Sequence, residues 1–329
     1  MTWWAWRQHR SQIVAAAGVL AVLAAWMTVT GISFSHEYRD LGIASCLAAR
    51  GDCSSIIDQF EALHRGIVFL VPLLLALPGL IGVFWGAPLV AREIEAGTHG
   101  LAWTQSVSRR RWLAGQLGLL GAATVTLATL FAWLVSWWSG PLTGAGLNRF
   151  TPGIFDLRGI VPVFYAAFAF ALGVAVGTVL RRTVAAMGVT LLGYAGIRAA
   201  VTFLARPYFV TPVVVSSPFG QASPRVDLAD WVLHTEAVDR LGNAVGHGGG
   251  IDVKLLGGAC PPPTNFANPF ANPRASMESC LQQLGVRMVS TIQPVSRYWT
   301  FQLIESAIFA ALTILLVVLT VRWIRRRIS

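Results

Sequence analysis

The sequence predicts an all-α membrane protein with six transmembrane helices, an N-terminal interface helix and a small outer module between spans 5 and 6. Three observations lead there. Charged residues make up 12% of the chain, roughly half the share of a soluble domain, while apolar residues reach 55% and mean hydropathy is +0.61. Such a chain lacks the polar surface to cover itself in water. Six apolar runs each approach the roughly 20 residues that a helix needs to cross hydrocarbon. The arginines next to those runs collect on one side of them.

Span 1 is read as Ser11–Ile32, span 2 as Gly66–Val90 and span 3 as Leu113–Trp138. Span 4 covers Gly159–Leu180, span 5 Val184–Leu204 and span 6 Trp299–Val321. Pro72 and Pro78 fall inside span 2, which is tolerated because neighbouring helices can satisfy the freed backbone groups. Span 1 is longer than the usual apolar core of a cleaved leader, so it is expected to stay as an anchor. Residues 1–10 precede it with Trp3, Trp4 and Trp6 ahead of Arg7, His9 and Arg10. Tryptophan favours the headgroup region and arginine anionic lipid, so a short amphipathic interface helix is expected there.

Orientation follows from the arginines. The termini and the even-numbered connections hold twelve of them against only Glu93 and Glu95, which accounts for the whole formal charge of +10. By the positive-inside rule that face is cytoplasmic, at a plasma membrane. A pI of about 10.5 would otherwise suggest nucleic acid, but these charges are juxtamembrane and set topology, so no nucleic-acid partner is expected. The domain reading is then 1–10 for the interface helix, 11–204 for spans 1–5, 205–298 for the outer module, and 299–329 for span 6 with a basic tail.

Cys46, Cys53, Cys260 and Cys280 all fall in the two large outer segments, Ser33–Arg65 and Ala205–Tyr298. An oxidising compartment favours disulfides there. Four cysteines allow three pairings, and local pairing is the simplest. The outer module is rich in turn formers, including Gly248–Gly250, Pro261–Pro263 and Asn272-Pro273, with one helix expected over Val226–Leu241 and a second over Pro273–Leu284.

Ionisable groups inside spans are costly and default to a functional reading. Span 5 holds Tyr194 and Arg198, and span 6 holds Gln302 and Glu305. At about 1.5 Å per residue, Arg198 and Glu305 come to similar heights. They are read either as a buried ion pair joining spans 5 and 6 or as part of a translocation path. The histidines are scattered, and His36-Glu37 lacks the second histidine of a zinc-protease motif, so no metal site is expected. Gly246–Gly250 resembles a lipase oxyanion segment without the nucleophile elbow that would accompany it.

The one long connection on the basic face joins spans 2 and 3, over residues 91–112. It is polar, carries apolar anchors and has Thr98, Ser106 and Ser108 as candidate helix caps. A plain connector needs only a few residues, so a short helix that docks a cytosolic partner is expected. The stretch APLVAREIEAGTHGLAWTQSVSRRRW resembles the corresponding loop of actinobacterial type-2 ABC exporter permeases. That family's pattern is matched at Arg92, Glu93, Glu95, Gly97, Thr98, Trp103, Thr104, Gln105, Ser106, Arg109 and Trp112, among others. The resemblance implies a permease half-transporter that pairs with a second copy or a paralogue. Arg92, Glu93, Glu95, Gly97 and Thr98 would contact the ATPase, and Trp103–Trp112 would brace that contact. The chain has no phosphate loop of its own, since its only lysine is Lys254, outside any such motif. ATP and Mg are therefore expected on a separate nucleotide-binding subunit, and the chain itself is not expected to be an enzyme. Membrane lipid surrounds it, and the cargo is expected to be amphipathic: an antibiotic, a peptide or a lipid. Two other readings share the topology. One is a membrane sensor or structural partner with a ligand-binding outer module. The other is a membrane-embedded enzyme, for which the spans offer few clustered acids, histidines or nucleophiles.

Overall fold

A computed structural model describes residues 2–49, 53–63, 66, 69–95, 109–145, 148–221, 226–227, 229–247, 250–252, 260 and 273–327. Six helices among them are long and apolar enough to cross a membrane. They are His9–Asp40, Val71–Glu93, Ala114–Trp138, Val161–Leu180, Thr183–Tyr208 and Val295–Ile324, called spans 1 to 6 below. The expected six-span helical architecture is present, with a small sheet module between spans 5 and 6. The chain divides into two compact units. One holds 1–147, 151–206 and 299–329, and the other 148–150 and 207–298.

The separate interface helix is not observed. One helix runs unbroken from Thr2 to Asp40, about 58 Å at 1.5 Å per residue. The physical reason is that no proline, and no glycine before Gly18, lies in the first turns, so nothing stops the helix between the tryptophans and span 1.

Spans 2 and 4 pack backbone to backbone. Each carries two glycines four residues apart, Gly82 and Gly86 on one and Gly173 and Gly177 on the other. A Cβ on Gly82 would lie 2.4 Å from the Ala169 carbonyl oxygen, and one on Gly173 would lie 2.3 Å from the Gly82 oxygen. Only glycine permits this approach, the small-xxx-small device of membrane helix pairs. Span 2 makes a π-helical turn over Gly82–Gly86, right at the contact. Span 5 closes on the same pair, with Tyr194 against Gly79.

Span 1 packs on span 3 through aromatic rings. Trp138 sits 5.7 Å from Trp26 and 5.5 Å from Phe34 between ring centroids, and its indole N–H donates to Thr30 Oγ1 at 2.9 Å. Two short helices, Ile43–Ala48 and Ser54–Leu63, follow span 1. The Cys46–Cys53 disulfide joins them, and Ile43 and Phe60 bury in the cluster around Trp138.

The second unit is a four-stranded antiparallel sheet in the order β1-β4-β2-β3. The strands are β1 (Val213–Pro218), β2 (Trp231–Val238), β3 (Ala244–His247) and β4 (Arg287–Gln293). The helix expected over Val226–Leu241 is therefore wrong. Its Trp231–Val238 part is β2, whose β-branched residues favour a strand. Asp239 accepts from the Leu241 and Asn243 amides, each at 2.8 Å, and Gly242 has φ +87°. That is a tight hairpin turn, which a continuing helix would forbid. The second expected helix is present as Pro273–Gln283. The Cys260–Cys280 disulfide is formed and packs with Ala237, Val245, Leu281 and Val286. Asn148 and Phe150 belong to this unit by contact: Asn148 Nδ2 donates to the Asp230 carbonyl at 2.7 Å, and Phe150 stacks on Trp231 at 5.6 Å.

The glycine seam makes a direct prediction. Gly173→Val forces backbone apart at a contact with no slack, so it lowers stability by about 1–3 kcal/mol or more. Thermal unfolding in detergent checks this, with Gly188→Val, where a Cβ meets nothing within 4 Å, as the tolerated control.

Candidate functional site

Span 5 carries Tyr194, Arg198, Thr202 and Arg206 at every fourth position, which puts them along one face of the helix. Span 6 carries Gln302 and Glu305 one turn apart, and span 4 contributes Tyr165. The Ile154–Leu157 turn just before span 4 supplies Asp156. Asp156, Tyr165, Arg198, Thr202, Arg206 and Glu305 meet at the end of the bundle remote from the 91–95 segment.

Arg206 is the centre. Its side chain is fully buried, as is that of Glu305. Nε and Nη2 of Arg206 each lie 2.8 Å from a different oxygen of Glu305, the two-pronged geometry that suits a guanidinium. Nη2 also bonds Asp156 Oδ1 and reaches Thr202 Oγ1 at 3.2 Å. A π-helical turn over Val201–Ala205 precedes it and sets its direction. Arg198 pairs with the other oxygen of Asp156 at 2.9 Å and donates to the Leu75 carbonyl of span 2 at 3.0 Å. The Tyr165 hydroxyl lies 3.1 Å from Asp156 Oδ1 and bonds Glu305 Oε1. Its ring lies 4.7 Å beneath the Arg198 guanidinium. Two arginines face two carboxylates, so the cluster is neutral while binding spans 2, 4, 5 and 6 together.

The direct Arg198–Glu305 pair weighed from the sequence is replaced by two crossed pairs, Arg198 with Asp156 and Arg206 with Glu305. The reason is reach: Arg206, two turns further along the same face, meets Glu305 first, and Asp156 bridges the two arginines. Gln302 has a different place. Its Oε1 accepts from the Ile160 and Val161 amides, each at 3.1 Å, and its Nε2 donates to the Phe155 and Arg158 carbonyls, each at 3.2 Å. It caps the start of span 4, and Gly159 at φ +72° leaves room for it, since a Cβ there would lie 2.6 Å from Gln302 Oε1. Tyr194 is buried against Gly79 and Phe168.

Asp156, Tyr165, Thr202 and Arg206 were absent from the sequence-based set. The fourfold spacing 194, 198, 202, 206 was the available signal. Reading span 5 as ending at Leu204 hid it, because Arg206 then fell in the outer module.

At the opposite end, span 2 continues through Arg92 and Glu93 to Glu95 as regular helix. Glu95 Oε2 accepts from the Thr183 amide at 2.9 Å, which satisfies one of the unpaired donors at the start of span 5. Hydrogen bonding to Thr183 holds the Glu95 carboxyl below its usual range, and the charge of Arg182 adds to this. Arg92 is exposed and Glu93 half-buried. Gly97, Thr98, Trp103, Thr104, Gln105 and Ser106 lie outside the described residues. Arg109 opens the helix of span 3, with its side chain outside the described ones.

Breaking the cluster on one side leaves a buried charge uncompensated, at a cost of about 3–5 kcal/mol. Arg206→Gln and Glu305→Gln should therefore each lower folded yield and thermal stability. Arg206→Gln should exceed Arg198→Gln, because Arg206 serves both acids. The double change Arg206→Gln with Glu305→Gln leaves the Arg198–Asp156 pair intact and should recover most of the loss.

The model of one protein family, described as ABC-2 membrane transporter related, matches residues 17–206, more than half of the 329-residue chain. No curated protein and no solved structure matches the chain. The matched region contains the glycine seam, span 5 as far as Arg206 and every member of the charged cluster except Glu305. The chain belongs to the ABC-2 membrane transporter related family.

Proposed function

We propose that this chain is the membrane-spanning subunit of an ATP-driven exporter. A separate nucleotide-binding subunit holds ATP and Mg and docks on the 91–112 segment, and two permeases, identical or paralogous, pair in the membrane. Both termini and that segment face the cytoplasm at the plasma membrane, while the disulfide-bearing segments lie outside. The arginine distribution and the two disulfides support this orientation.

The observation that carries the reading is the Glu95–Thr183 contact within a chain of this family. It ties the start of the proposed docking segment to the start of span 5. A displacement of the segment by the ATPase is then passed to span 5 through a hydrogen bond to its helix terminus. At the other end, the charged cluster holds spans 2, 4, 5 and 6 as one body. Span 5 accordingly pivots near the cluster and swings at its cytoplasmic end. Re-orientation of the spans releases an amphipathic cargo, an antibiotic, a peptide or a lipid, outward.

Replacing Glu93 and Glu95 with Lys should uncouple or detach the ATPase. At Glu95 it also puts a cation where a helix N-terminus favours an anion. Co-purification and cargo transport are measured together, and an unchanged result in both contradicts the reading. Because its folded pKa is depressed, Glu95 contributes to the contact above the ordinary carboxylate range. That contribution is lost as pH falls through the lowered value. Coupling should therefore be intact at neutral pH and weaken on acidification, and Glu95→Gln should flatten that pH response.

A further inference from the structure

Among the described residues span 1 packs chiefly on span 3, and span 2 chiefly on span 4. Between spans 1 and 2 lies an apolar cavity of about 280 Å³. Its floor is formed by Ala128 and Phe131 of span 3 and Ala166 of span 4, all nearly or fully buried. Its mouth is flanked by Val19 of span 1 and Phe84 of span 2, which are 55% and 56% exposed. The Trp85 indole supplies the one polar side-chain atom of the lining.

We propose that this cavity is a binding site for one acyl chain of a membrane phospholipid, which enters sideways between spans 1 and 2. The proposal goes beyond the export reading and does not depend on it. Three arguments carry it. An apolar cavity of about 150 Å³ already stays dry and binds benzene, and this one is larger with the same kind of lining, so hydrocarbon is the chemistry it suits. All four contributing helices are membrane spans, so the medium at the mouth is lipid tails. A second copy of the chain is a poor occupant. Helices associate in membranes through small residues that let backbones approach or through hydrogen-bonding side chains. The lining contains no glycine, serine, threonine, asparagine or glutamine; of its three alanines, Ala128 and Ala166 are buried in the floor and Ala16 is half-buried, and the span 2 glycines at this level are used against spans 4 and 5.

The test uses the full chain in nanodiscs containing a phospholipid with a photoreactive diazirine midway along one acyl chain. Mass spectrometry then maps the adducts. The expected result is labelling of Ala128 and Phe131, which lipid around the outside of the bundle does not reach. In Ala16→Phe, which fills the cavity from span 1, that labelling should fall severalfold. Labelling of outward residues of span 5, such as Val184 and Leu192, should stay unchanged. Mapping in the unaltered chain stands by itself if the variant folds poorly. A floor without adducts, with label confined to outward residues, overturns the proposal. So does efficient crosslinking between two copies through Ala16→Cys, which would seat a second copy in the mouth.

Discussion

A fully buried guanidinium has no water to lean on, and that constraint organises the far end of this bundle. Arg206 is enclosed by Glu305, Asp156, Tyr165 and Thr202. Each of these partners comes from a different place in the chain apart from Thr202. To satisfy the arginine, span 6 must present Glu305 at the right height, span 4 must present Tyr165, and the turn before span 4 must carry Asp156. Arg198 adds span 2 through the Leu75 carbonyl. The cluster therefore fixes the relative heights of four helices whose packing alone, in a medium as apolar as their side chains, specifies position only weakly. Buried ion pairs contribute little net stability but strongly penalise any arrangement that separates them. Here they act as a registration device.

The glycine seam between spans 2 and 4 complements that device. It supplies close dispersion contact between the two spans through backbone atoms rather than through charge. Gln302 completes the far end by capping span 4 with four hydrogen bonds. At the other end, the helix Ala87–Glu95 packs against the start of span 5, and the Glu95 carboxylate, itself exposed, bonds the Thr183 amide there. The cluster at the far end is held by buried charged bonds, whereas the Glu95–Thr183 bond at the loop end faces solvent. This asymmetry favours motion at the end where the proposed partner docks.

Much of the membrane part was legible from sequence, because crossing hydrocarbon imposes a length and a composition that show in any window. The two local disulfides were legible too, since each pair was the nearest in the chain. The cluster was half legible. Arg198 and Glu305 stand out as charges in apolar runs, whereas Asp156 and Arg206 sit at helix ends, where charge is ordinary and carries no alarm. The sheet module was misread at β2, because Trp231, Val232 and Leu233 fit an amphipathic helix as well as a strand. The arbiter was the Asp239–Gly242 turn, a local signal that only matters once β3 pairs back. The glycine spacing on spans 2 and 4 is visible in the sequence, but which helices it joins is decided by the fold.

The central claim is that span 5 is pinned at the cluster and moves at its loop end. It is tested most directly by spin-label distances in a complex with the proposed ATPase subunit, with and without a trapped nucleotide. One pair, Phe203 and Leu303, reports the cluster end from exposed positions on spans 5 and 6. A second pair, Val184 and Val318, reports the loop end. The account predicts that nucleotide trapping shifts the second distance and leaves the first unchanged. A first distance that widens while the second stays fixed would contradict it.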